Sequence, residues 1–310
     1  EDRWANNIKA MIYGFTSGGF DVKGFNLTVY TDILPSAGFG ITTAIKAGSA
    51  YAIRQMQKIP CSDDQLLQVI ERGNKLFLHT GNYIADNFAA LYSKPGNLIL
   101  TDHATGKYDY IPFDFKDKKI FLTDAKVPRI SIWDEDSVRA PENVLLLGDL
   151  RDRKNNVYGG WIYEQSATEI NETLSVIPED IKKKLLYIIK EHQFVLDARD
   201  AVLSGNFGKF AYCINQSHEL LGDLYNLSCP EIDWILKRVT ELEPKLEFIR
   251  EPVTCGRITG KGFGRCLYAI IRKEDVEPYM KKLSEYERIF GFTPSTYEVK
   301  PARGVHAVRN

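Results

Sequence analysis

Hydrophobic and polar positions along the chain follow two rhythms. Between Lys23 and Ile33 the apolar residues alternate at Phe25, Leu27 and Val29, which predicts a strand. That strand would feed a glycine-rich stretch, "PSAGFGITTA", from Pro35 to Ala44. Beyond it, "ITTAIKAGSAYAIRQMQ" sets Ala, Ile and Tyr at helical spacing, so the loop lies between a strand and a helix. Pro60 closes this unit, and Ser62 followed three residues later by Gln65 is a capping-box signal for a second helix, "DDQLLQVIERGNKLFL". Short strands are predicted at "GNLILTD", "KYDYIPF" and "KKIFLTD", with Gly106 in the turn between the first two. This mixed lobe ends near Asp124.

From Val127 to Asn171 the pattern is irregular and polar, with "WDEDSVRAPEN" and "GDLRDRKNN" reading as surface loops of a connecting region. Helical periodicity returns from Ile177 to Leu242 in three segments. "CLYAIIRK" is a buried-looking strand, "DVEPYMKKLSEYERIFG" a helix, and "TYEVKPARGVHAV" a closing strand-like segment. There is no internal repeat and no low-complexity tract. The expected organisation is α/β with two lobes, residues 1–126 and 127–310.

Composition narrows the partners. With 40 Lys and Arg against 41 Asp and Glu in 310 residues, and the basic residues dispersed, the electrostatic footprint of a nucleic-acid binder is missing. A small or neutral ligand is expected instead. No apolar run approaches the roughly 18 residues needed to cross a bilayer, and "EDRWANNIKAMIYG" lacks a signal-peptide pattern. The expectation is a cytoplasmic monomer with no membrane contact. The five cysteines form no CxxC pair, which suits reduced thiols packed in a core. The five histidines show no metal-ligand spacing.

Candidate chemistry sits at the first glycine loop. Glycines between a strand and a helix let the chain turn tightly and aim backbone N–H groups at one point, where the helix adds partial positive charge. Gly38, Gly40, Thr42 and Thr43 fit a phosphate site of this kind, and a threonine hydroxyl there could touch phosphate or Mg²⁺. A tight strand-to-helix turn with a threonine cap explains the same residues. A second loop, "TGKGFGRCLY", repeats the Gly-Phe-Gly tripeptide. It is not a Walker A sequence, because three residues separate Gly256 from Gly260 and Gly262 follows Lys261. Nor does it have the GxGxxG spacing of a dinucleotide fold. Lys261 and Arg265 fit a phosphate contact or a solvated surface equally, and His218 and Asp223 read as helix packing.

Taken together, the segments resemble the GHMP kinases and, among them, the galactokinases. "CGRITGKGFGRC" is similar to that family's third motif, and "SHELLGDLYNLSCPEID" to the helix before it. "NYIADNFAALYSKPGNLILTD" resembles the segment that holds the catalytic aspartate, which puts Asp86 in that role. "GFTPSTYEVKPARGV" looks like the C-terminus of a galactokinase. The resemblance implies a two-lobed fold, the first lobe like ribosomal protein S5 domain 2 and the second ferredoxin-like. It also implies transfer of the ATP γ-phosphoryl group, with Mg²⁺, to the anomeric hydroxyl of galactose or a related hexose, Asp86 accepting the proton.

Four departures accompany it. The family's first motif, an Arg-x-x-x-x-Gly-Glu-His-like stretch, has no counterpart in these residues. Gly40 is followed by Ile41, Thr42, Thr43 and Ala44 in place of leucine and three serines, leaving Thr42 as metal ligand and Thr43 as phosphate contact. Asn74 stands where the family keeps a metal-binding glutamate, with Glu71 aligned only after a shift. Tyr83 replaces a glycine beside the sugar. Ala44, Asn74 and Tyr83 also suit a different protein, a non-catalytic relative that binds sugar or nucleotide as a sensor.

Overall fold

The computed structural model describes residues 4–33, 39–81, 84–102, 105–127, 168, 175, 179–225, 227–243, 251–259 and 265–308. They form two compact units, Glu1–Phe113 with Lys300–Asn310, and Asp114–Val299. The expected connecting region from Val127 to Asn171 lies almost wholly outside the described residues.

In the first unit, helix α1 (Ala5–Ser17) packs on α2 (Ile41–Met56) and α3 (Asp63–Arg72). Its Ala10, Met11 and Phe15 meet Ala47, Ala50 and Ile53 of α2 and Leu66, Val69 and Ile70 of α3 in one buried cluster. The α3 positions follow i, i+3, i+4, the spacing that puts apolar side chains on one helical face. Its start is the capping box read from sequence: the Gln65 N–H donates to Ser62 Oγ (3.2 Å) and the Ser62 N–H to Gln65 Oε1 (2.9 Å). The predicted helix continues past Arg72 as a π-turn, Gly73–Phe77. Gly73 is needed there, because a Cβ would come within 2.5 Å of the Ala10 carbonyl oxygen. Helix α4 (Ile84–Tyr92) follows, then an antiparallel hairpin of β1 (Asn97–Asp102) and β2 (Lys107–Pro112), with Asn97 opposite Pro112. Tyr92 of α4 stacks on Tyr108 of β2 at 4.9 Å, fixing helix to hairpin.

The strand expected from Lys23 to Ile33 is not formed. Phe25 packs against the core of this unit, but Leu27 and Val29 are exposed and Tyr30 is 86% exposed, so the alternation does not turn one continuous face to the core. The backbone of Lys23 is held by a side chain instead: its N–H donates to Gln57 Oε1 and Gln57 Nε2 donates to its carbonyl, both at 2.9 Å. An amide thus gives one residue the pairing a neighbouring strand would give a whole segment.

The second unit is built on a four-stranded antiparallel sheet in the order β4-β5-β3-β6, where β3 is Lys118–Asp124, β4 Cys255–Ile258, β5 Cys266–Arg272 and β6 Ser295–Val299. Helices α5 (Glu179–Leu203), α6 (Phe207–Tyr225) and α7 (Pro230–Thr240) match the three predicted segments. The predicted helix after β5 is divided into α8 (Val276–Leu283) and α9 (Tyr286–Phe290). Ser284 Oγ at the break donates to the Lys281 carbonyl at 2.7 Å, competing with the helical ladder. Tyr279, Leu283 and Tyr286 still point into the core with Ile232, Ile235, Leu267 and Ile271.

The observed division at Phe113 and the sequence division at residue 126 differ by β3. This strand pairs with β5 from Lys118↔Arg272 to Asp124↔Cys266 and with β6 from Ile120↔Val299 to Asp124↔Ser295. It therefore belongs to a sheet whose other strands come from far along the chain. After β6, Lys300–Asn310 returns to the first unit, where the Gly304 N–H bonds the Ser93 carbonyl and the Val305 N–H the Ala90 carbonyl, each at 2.8 Å.

Candidate active site

The first unit carries a group of the expected site residues. Gly40 is the N-cap of α2 with φ +75°, a left-handed conformation that glycine adopts without strain. Having no side chain it gives no cap, so the start of α2 is not the threonine-capped turn that the sequence allowed as an alternative. The first N–H groups of a helix have no intrahelical acceptor, and with the helix dipole they suit an anionic oxygen. Thr42 in this turn is exposed, whereas Thr43 is buried. Gly38 lies outside the described residues.

One turn further, Lys46 is 5% exposed. Its Nζ donates to Asn74 Oδ1 at 2.7 Å. Asn74 is itself 1% exposed and belongs to the π-turn, the irregular backbone that Gly73 makes possible. Asp86 lies in the first turn of α4 and is exposed. Burial lowers the pKa of Lys46, and the charge of Asp86 opposes that shift without cancelling it. Thus Lys46, Asn74 and Asp86, drawn from three elements, share one electrostatic neighbourhood. Tyr83, three residues before Asp86, lies outside the described residues.

Mg²⁺ was expected from the resemblance, with Thr42 and Asn74 as ligands. Among the described residues no group of three or more His, Cys, Asp or Glu could hold a metal ion. The oxygen of Asn74 accepts from an ammonium, and a dication beside it would face like charge. This donor set does not fit a metal ion held by the protein alone. Glu71, the other carboxylate considered, has its pKa raised by burial.

In the second unit, the described edges of the second glycine loop are anchored. The Thr259 N–H donates to the Cys266 carbonyl at 2.9 Å. Arg265, which the sequence left between phosphate contact and free surface, makes a two-pronged bond to Asp124: Nε to Oδ1 at 2.7 Å and an Nη to Oδ2 at 2.5 Å. Lys126 Nζ reaches the same carboxylate at 2.9 Å. Gly260 to Gly264, Lys261 included, lies outside the described residues. His218 Nε2 meets Asp233 Oδ1 at 3.2 Å between α6 and α7, in keeping with a packing role.

Lys46 was missed in the sequence, and a signal for it existed. Of the buried positions along α2, Thr43, Lys46, Ala47, Ala50 and Ile53 fall at i, i+3, i+4, i+7 and i+10, with Ser49 beside them, so a charged residue interrupts the core-facing stripe.

Residues 6–94 match the family model for the GHMP kinases N terminal domain, which sets the class of protein to which the first unit belongs. The chain as a whole belongs to the galactokinase family: it is 34% identical over 313 residues to a putative galactokinase of Treponema pallidum, spanning 99% of this chain and 76% of that protein. A galactokinase of Thermotoga neapolitana is 25% identical over 311 residues, with 99% of this chain and 83% of that protein covered. Among solved structures, the Lactococcus lactis galactokinase complexed with galactose superposes with a TM-score of 0.87 at 22% identity, over 98% of this chain and 76% of that one. The fold is that of the galactokinases, as the sequence resemblance implied. No helix among the described residues is long and apolar enough to cross a membrane.

Proposed function

We propose that the chain is a galactokinase that transfers the γ-phosphoryl group of MgATP to the anomeric hydroxyl of galactose or a closely related hexose. The observation that carries this reading is the association of Asp86, exposed at the start of α4, with the buried pair made by Lys46, on the helix that begins after Gly40, and Asn74 of the π-turn. The carboxylate of Asp86 accepts the proton of the sugar hydroxyl as its oxygen bonds to the γ-phosphorus. The bond from that phosphorus to the bridging oxygen breaks, and ADP leaves. Catalysis here rests on positioning and charge, with little covalent chemistry for the protein to perform. Gly38, Gly40 and the first N–H groups of α2 hold phosphate oxygens; Thr42 reaches the nucleotide or its Mg²⁺, and Thr43 contributes chiefly its backbone. Tyr83 takes the sugar-contact role that the resemblance implies and tunes the choice of hexose. A cytoplasmic monomer accords with this reading, and the five cysteines are reduced thiols.

The test is ADP release from MgATP across a panel of hexoses, by wild type and by Asp86→Asn. Sugar-dependent release is expected, and the variant should bind nucleotide while its transfer falls at least about a hundredfold, the lower end for losing a general base. Nucleotide binding with no turnover on any hexose would favour a sensor. A variant as fast as wild type would remove Asp86 from the chemistry.

A further inference from the structure

Lys46 is a buried ammonium that packing alone does not call for. The rest of its stripe is small or apolar apart from Thr43, and an unbranched apolar side chain would fill the same space. Burying an ammonium is unfavourable unless an opposite charge compensates it. Asn74 offers Lys46 a dipole at 2.7 Å but no charge. Among the described residues, Asp86 supplies a negative charge that acts on Lys46. Thr42 and Thr43 precede Lys46 by four and three residues, so the start of α2 and the ammonium share one face of the helix. Phosphoryl transfer needs positive charge beside the base and the transferring group, and among the described residues no group of three or more His, Cys, Asp or Glu could hold a metal ion there.

We propose that Lys46 is the positioning cation of the transfer site: its ammonium, fixed by Asn74, orients the Asp86 carboxylate and provides the charge that a protein-held divalent ion would otherwise provide. This rests on Asp86 being the base. Divalent metal then enters only with the nucleotide, and Asn74 serves as the holder of an ammonium.

The experiment compares Lys46→Met, Lys46→Ala and Asp86→Asn with wild type in the full chain, reading kcat, KM for MgATP and the thermal midpoint. Lys46→Met should melt no lower than wild type, since it removes a buried charge at similar volume. Its kcat should fall about a hundredfold, the scale of losing one preorganised electrostatic group, with KM for MgATP within about threefold. In Lys46→Ala, added propylammonium should restore at least about tenfold of the lost kcat and 1-propanol should not, because charge and not filled volume is what is missing. Lys46 variants within about threefold of wild-type kcat, or equal rescue by the alcohol, would overturn the proposal while leaving Asp86 as base. An unimpaired Asp86→Asn would instead sink the base assignment, and this role for Lys46 with it. Should the Lys46 variants fail to fold, Mn²⁺ binding to wild type without nucleotide decides: none is expected, and a bound ion that is lost in Asn74→Ala would refute the proposal.

Discussion

Asp124 in the second unit and Lys46 in the first are both buried charges, and they are compensated in different ways. Both oxygens of Asp124 are engaged, by the Arg265 guanidinium, by Lys126 Nζ and by the Lys126 N–H. Nearby in the same unit, Arg257 donates to Ser217 Oγ at 2.7 Å, to Glu191 Oε1 at 3.2 Å and to the Ile258 carbonyl at 3.1 Å. Lys46 meets a neutral amide, and the carboxylate whose charge reaches it is exposed. A charge locked by opposite charges does its work for the fold. One buried with weaker compensation costs the fold something, a cost that a transfer site can use.

The largest effect on stability should come from breaking the locked charge. Asp124→Ala leaves the Arg265 guanidinium and Lys126 without their carboxylate, and losing one partner of a buried pair costs about 3–5 kcal/mol. Arg265 keeps some solvent access, so we expect a loss of about 3 kcal/mol in urea unfolding, at the low end of that range. Lys46→Met, by contrast, should leave stability unchanged or raise it while activity falls. A large destabilisation in Lys46→Met and none in Asp124→Ala would reverse the comparison. Acid sharpens it further. Burial alone would raise the pKa of Asp124, yet the bonds from Arg265 and Lys126 outweigh it and the net shift is downward. A carboxyl lowered in the folded state adds stability that is complete above its unfolded pKa of about 3.9 and is lost as pH falls further. Wild type should therefore lose stability below about pH 4 more steeply than Asp124→Asn, read by thermal midpoints against pH.

A middle effect is expected at Gly73, where the π-turn that carries Asn74 approaches α1. Gly73→Ala would place a Cβ 2.5 Å from the Ala10 carbonyl oxygen and 2.7 Å from Met11 Cε. The methionine can move, but the backbone oxygen yields only if α1 or the turn shifts, a strain of about 1–3 kcal/mol. Because the shift displaces Asn74, kcat should fall together with stability, unlike either of the charge variants. Lower stability with unchanged kcat would show that the Lys46–Asn74 distance is not critical.

The elements that the sequence revealed are those whose cause is local. The α3 start follows from Ser62 and Gln65, and α5 to α7 follow from their own periodicity. The lost strand at Lys23–Ile33 and the transfer of β3 to the second unit are non-local: alternation predicts extended backbone, but only a partner strand makes a ladder. Phe121 and Leu122 find their partners at Ala269 and Tyr268 and at Glu298 and Tyr297, pairings that no window around β3 can foresee. At the site, the role proposed for Asp86 comes from the resemblance of "NYIADNF" to a known segment. The Lys46–Asn74 pair was not, because it depends on a π-turn that lets Asn74 face α2, and nothing in a regular helical reading of "ERGNKLF" places it there.

The smallest effect should come from the feature most legible in the sequence. Ser62→Ala removes the oxygen that accepts from the Gln65 N–H, and leaves Gln65 Oε1 free to keep its bond with the Ser62 backbone position. Loss of a serine N-cap costs about 1 kcal/mol, which should appear as a small drop in the urea midpoint with the slope unchanged. The cap lies at the far end of α3 from the π-turn, with Leu66, Val69 and Ile70 anchoring the helix between them. Fraying one turn at the start should not move Asn74, so kcat should stay within about twofold of wild type. Paired with Gly73→Ala, this variant separates loss of helix stability from displacement of the site. If Ser62→Ala lowered kcat as much as Gly73→Ala, activity would be following the stability of α3 as a whole, and the position of Asn74 would lose its special standing.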